Sequence, residues 1–269
     1  MQLWIWAQQL GMIFVGLVIA VSANAHDVWI TIVPEREGTI RALVHHGHPG
    51  DRKNPDADKL FQFTVEGNRG PSRSLLSGIK PTLYGGFPVL KTASFTLAGE
   101  TGIIILAANY DNGYWVKTAD GHRNTSRRQI PDAEDSLYSM KFAKAMVQIG
   151  PSTSDSFRRA VGHQLELVPL MNPFSTRPGT TLKVQVYFDG KPLAGVDVER
   201  GDGMTPMVEN DIPRYTTDAE GVATIPITKL GPQLLVVDHI LPSTHQDLVA
   251  RELYNATLSF VLATMPRGK

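Results

Sequence analysis

Cysteine is absent from the 269 residues. No disulfide can therefore staple the fold, and any metal site must use nitrogen and oxygen ligands, with methionine as a softer option. Net charge is absent too. The 26 Lys and Arg balance 26 Asp and Glu, which argues against a nucleic-acid partner or a basic membrane-binding surface. After residue 25 no apolar run reaches the roughly 20 residues that a membrane-spanning helix needs. The sequence also lacks a nucleophile motif, a Gly-rich phosphate loop and HExxH. What remains is a chain long enough to build its core without cross-links.

The one long apolar run lies at the start. Residues 11–21, GMIFVGLVIAV, have the length of a signal-peptide core, and Ala23 and Ala25 supply the small residues that signal peptidase needs. Residues 1–25 read as a signal peptide cleaved after Ala25, with a soluble periplasmic chain beginning at His26. The first ten residues carry no Lys or Arg, so an uncleaved N-terminal anchor is the competing reading.

Beyond residue 25 the sequence reads as short β-type runs separated by Gly, Pro, Asn and Asp clusters. In TLKVQVYF, Leu182, Val184, Val186 and Phe188 share one face, as in a half-buried strand. Asp189-Gly190 between apolar runs signals a hairpin. These features predict an all-β fold of two β-sandwich domains, immunoglobulin-like or transthyretin-like, over residues 26–165 and 166–269. The Pro-rich stretch 167–180 marks the crossing between them. One short helix is expected near residues 133–147, where Leu137, Met140 and Val147 fall at helical spacing.

Eight histidines carry the chemical signal. Three lie in LVHHGHPG at the end of a predicted strand. Alternation puts His46 on the face of Ala42 and Val44, His45 on the opposite face with Leu43, and His48 in the following turn. Imidazole is a common ligand for late first-row divalent metals, although such a cluster is also compatible with a solvated turn. His26, once N-terminal, would offer an α-amine and a ring nitrogen to one metal; the bland alternative is that it merely begins an edge strand. His239 ends the apolar run QLLVVDHI, where Asp238 points the other way. His122, His163 and His245 have weaker claims.

Several motifs in order carry a family resemblance: AHDVWI at the mature start, ASFTLAGETGIIILAANYDNGYWVKT, KFAKAM, and GHQLELVPLMNPFSTRPGTTLKVQVYFDGKPLAGVDV. YTTDAEGVATIPI, LVVDH and ATLSFVL follow. Across nearly the whole mature chain the sequence resembles the NikM-like exported bacterial proteins associated with nickel and cobalt uptake. Its second half resembles transthyretin-like and carboxypeptidase-regulatory-like modules. The resemblance implies a periplasmic β-sandwich protein that binds a transition metal or assists an inner-membrane metal transporter. By position, the start-of-chain histidine of the family falls on His26 and the late strand-end histidine on His239.

The expected function is thus binding of a divalent transition metal, nickel or cobalt favoured and copper or zinc as alternatives. Its expected ligands are His26, His46, His48 and His239. Two other classes compete. One is a structural or interaction sandwich without metal. The other is a copper-dependent oxidase using an N-terminal histidine, for which Tyr110, Tyr114 and Trp115 are the only aromatic cluster near a candidate surface.

Overall fold

The computed structural model describes residues 26–36, 38–151 and 154–263. The proposed signal segment lies outside the described residues. The fold is all-β, built from three sheets. A central sheet of nine strands runs in the order Arg214–Thr216, Asp197–Gly201, Gly231–Pro242, Arg251–Leu262, Asp135–Ile149, Gly102–Thr118, Leu60–Glu66 and Arg73–Ser74, with Gly121–Arg123 as a hairpin arm on Gly102–Thr118. A six-stranded sheet is led by Asp27–Arg36 and Thr39–His48. A four-stranded sheet is centred on Thr181–Phe188. Among the described residues no helix is long and apolar enough to cross a membrane.

The central sheet is buried on both faces, and its sequence shows why. In GIIILAANY, Ile103 and Ile105 join a core with Leu182, Val184 and Val186 of the four-stranded sheet. Ile104, Leu106 and Ala108 join a second core with Val28, Ile30, Ala42 and Val44 of the six-stranded sheet. Successive side chains point to opposite faces, so a continuous apolar run is what a doubly covered strand requires. Sandwich packing is present on each side, but both sandwiches share one sheet. Four strands from beyond residue 166 lie in the same sheet as strands from before residue 165.

The helix expected near 133–147 is a correction: these residues form the strand Asp135–Ile149. That strand pairs antiparallel with Gly102–Thr118 and parallel with Arg251–Leu262. Six consecutive residues, Lys141 to Met146, are buried. Burial on both faces erased the alternation that would have marked a strand, and the surviving apolar spacing imitated a helix.

Turn signals held better. Asp189 and Gly190 both have positive φ, 49° and 71°, and join Thr181–Phe188 to Lys191–Pro192 as a two-residue hairpin. Asp218 Oδ1 accepts from the Glu220 and Val222 amides at 3.1 and 2.8 Å, closing the turn expected there.

The first strand of the six-stranded sheet is fixed to the central one through its backbone. Thr257 and Ser259 hydroxyls donate to the carbonyls of Val28 and Ile30 at 2.8 and 2.6 Å. Those carbonyls belong to an edge strand whose unpaired groups need partners when buried. Val28 and Ile30 add about 1.5–3 kcal/mol each through burial. The chain just after His26 is thereby seated with little freedom.

Gly47 sets the other half of this corner. Its φ is +111°, and a Cβ there would lie 2.4 Å from the Asp51 carbonyl oxygen. Gly47→Ala is expected to cost about 1–3 kcal/mol, the usual penalty for forcing such backbone, and to displace His48. Urea unfolding of the variant measures the cost, and unchanged stability would contradict the steric reading.

Candidate metal centre

The antiparallel register places Asp27 opposite Gly47 and Val28 opposite His46. One step further along the pair brings His26 beside His48. Three imidazoles consequently meet where the six-stranded sheet covers the central one. The His26 ring centre lies 5.5 Å from that of His46, nearly perpendicular, and 5.4 Å from that of His48. The His46 ring rests 5.4 Å from Tyr110 of the central sheet. His48 closes the strand Thr39–His48 rather than lying in the turn beyond it.

His46 is only 8% exposed, and neither ring nitrogen has a hydrogen-bond partner; His48 Nε2 lacks one as well. Buried imidazole nitrogens without partners are costly, because they lose water and gain nothing. Burial pushes the His46 imidazole down to about 3, helped by the charges of Lys141 and His26 and opposed by the nearby Asn54 backbone, which comes short of a well-formed hydrogen bond. Burial also lowers His26, with His48, Lys53 and Lys141 adding to the effect. His48 moves the other way because the Asp27 carboxylate lies 3.6 Å from its Nδ1. Neutral His26 and His46 are in the protonation state that metal ligation needs.

Around the rings is a polar group built from the far end of the chain. Asn255, fully buried, donates from Nδ2 to Asp27 Oδ1 at 2.9 Å and to Asp238 Oδ1 at 2.7 Å. Burial, then the Asp27 charge, push the Asp238 carboxyl up to about 7. Its surface nonetheless faces a cavity of about 320 Å³, lined also by Asp27, His48, Glu199, Arg200 and Met207. Lys141 stands opposite Asn255 on one neighbouring strand and opposite Tyr110 on the other. It is 1% exposed and its Nζ has no partner. Burial lowers its pKa while Asp238 and Asp27 work against that shift.

Of the four expected ligands, the fold brings together His26, His46 and His48. His239 is a correction, because it does not join them. Its ring meets Phe188 of the four-stranded sheet edge-on, at 4.7 Å between ring centres. Asp238 and His239 are neighbours on one strand and so face opposite ways, and it is Asp238 that reaches the histidine cluster. His45 is on the other face, as its alternation predicts. Its ring stacks on Trp29 at 4.9 Å, and its two nitrogens are taken by Arg52 at 2.7 Å and Thr31 at 3.0 Å. His163 is buried beside Phe142, while His122 and His245 are exposed.

Sequence reasoning missed Asp27, Tyr110, Lys141, Asp238 and Asn255 as members of this cluster. Asp27 could have been suspected from its place next to His26. The other four come from strands distant in sequence and carry no local signal. Among the described residues, no three His, Asp or Glu side chains stand close enough to hold an ion without rearrangement.

The fold and the cluster define an all-β protein with a half-buried triad of histidines at the junction of two sheets. The chain belongs to the family described as a domain of unknown function, DUF4198, whose model matches residues 23–240. No curated protein matches the chain.

Proposed function

We propose that this is an exported periplasmic protein that binds a transition metal through His26, His46 and His48. Nickel or cobalt is favoured and copper or zinc are alternatives. An inner-membrane metal transporter is the natural partner. The observation that carries the reading is His46, buried with both ring nitrogens unpartnered beside two more imidazoles. A metal would satisfy those nitrogens. Cleavage after Ala25 would add the α-amine of His26 to the donor set, giving a nitrogen-rich site of the kind late first-row metals prefer. Convergence on one ion requires rotation of the His26 and His48 rings, which are less buried than His46. The NikM-like resemblance points to the same chemistry, and we read the second half as its transthyretin-like module.

The test is titration of the chain beginning at His26 with nickel, cobalt, copper and zinc, by calorimetry or spectroscopy. Two variants accompany it: one extra residue before His26, and His46→Ala. Tight binding is expected in the parent, with at least a tenfold loss in each variant. Equal binding by all three, or none by the parent, would sink the reading.

A further inference from the structure

Lys141 is the feature that metal ligation by the histidines leaves unexplained. A lysine amine that is 1% exposed with no hydrogen-bond partner is among the costliest groups a core can hold. Its position in the central sheet explains what it faces. On one side its strand neighbour is Asn255, whose amide holds both Asp27 and Asp238. On the other it is Tyr110, against which the His46 ring rests. Paired residues in adjacent strands project to the same face. The lysine stem therefore rises between the carboxylate pair and the histidine cluster.

The two carboxylates pose a problem that Asn255 alone does not solve. Both oxygens sit within hydrogen-bond distance of the same amide nitrogen, so two acids are held close together with a neutral donor between them. Like charges so placed oppose each other strongly unless a cation is near or one acid takes up a proton, and above pH 7 both acids are ionised only with a cation beside them. Asp27 has His48 at 3.6 Å. Asp238 has no salt-bridge partner among the described residues. Lys141 is the buried cation facing that pair.

We propose that Lys141 is the resident cation of this centre: its ammonium balances Asp27 and Asp238 in the metal-free protein and opposes any dication that enters beside it. The assignment rests on the metal-binding reading only for its second half. The balancing of the carboxylates stands without it. Lys141 is a positioning residue for charge and makes no bond to the metal.

Two measurements on the chain beginning at His26 test this. In the first, Lys141→Met and Lys141→Gln are titrated with nickel and zinc, and with silver as a monovalent probe. Removing the opposing charge should tighten nickel and zinc binding about tenfold or more, as expected for loss of a nearby like charge, and change silver less. Weaker binding would make the lysine a ligand and overturn the proposal, as would unchanged affinity. In the second, metal-free unfolding is compared for Lys141→Met, Asp238→Asn and the double variant. Lys141→Met should lower the melting temperature, and much less so when Asp238 is already Asn. Absence of that coupling would overturn the resident-cation assignment. Coupling without metal binding by the parent would remove the proposed function and leave the charge balance standing.

Discussion

Replacing Lys144 by methionine is expected to destabilise the protein by about 3–5 kcal/mol, the usual consequence of stranding one member of a buried ion pair. Lys144 is 1% exposed and Glu166 is 3% exposed. The lysine amine bonds the Glu166 carboxylate and also donates to the Leu167 carbonyl at 3.0 Å. The same carboxylate accepts from the amides of Val161 and Gly162 at 2.8 and 3.2 Å. One glutamate therefore ties residues 161–167 to the central sheet at the point where the chain crosses to the four-stranded one. Without Lys144 its charge would lie in the core, held by two amides alone. Chemical unfolding of Lys144→Met gives the number. Glu166→Gln should cost a comparable amount, because the Lys144 amine loses its counter-charge and the Gln NH2 would be a donor facing another donor where the carboxylate accepted. A loss below about 1 kcal/mol in Lys144→Met would mean that water reaches the pair, and that it behaves like a surface bridge.

Stability should also fall steeply in mild acid. His45, His46 and His163 are all held at about 3, chiefly by burial, against an ordinary value of 6.5. Between those limits the unfolded chain binds three protons that the folded chain refuses. Stability therefore rises with pH across this window and is lost as pH falls below 6.5. Asp238 acts in the opposite sense. Its folded value of about 7 lies above the ordinary 3.8, so in the same window the folded protein holds one proton more than the unfolded chain. The three histidines outweigh this single opposing proton, so the net sense is stability rising with pH through the window. Urea unfolding at pH 4.5, 5.5 and 6.5 measures it. His163→Phe should remove about one proton from the slope without touching the histidine cluster. A flat profile would mean that the three imidazoles are protonated in the folded state. A bound metal should deepen the acid sensitivity, because His26 and His48 would then have to stay unprotonated as well.

The fold class was legible because turns and half-buried strands leave local marks. Asp189-Gly190 and Asp218 to Gly221 act within a few residues, through backbone conformation and short side-chain bonds. Thr181–Phe188 shows alternation because its central residues have one face on a core and the other toward solvent. Alternation also separated His46 from His45 correctly. The segment 135–149 was misread because both of its faces are buried, and a doubly covered strand leaves no period of two to detect.

By itself, then, the sequence determined an all-β chain and its hairpins, and it offered His26, His46 and His48 as ligands together with His239, without the strand pairing that brings the first three side by side. Only the tertiary structure decided that both sandwiches share the nine-stranded sheet and that Asp238, not His239, faces the cluster. It likewise placed Lys141, Tyr110 and Asn255 beneath the cluster. The contacts of Asn255 with Asp27 and of Tyr110 with His46 span 228 and 64 positions. Contacts over such separations follow from sheet order and from which face is covered, and no short stretch of sequence encodes either.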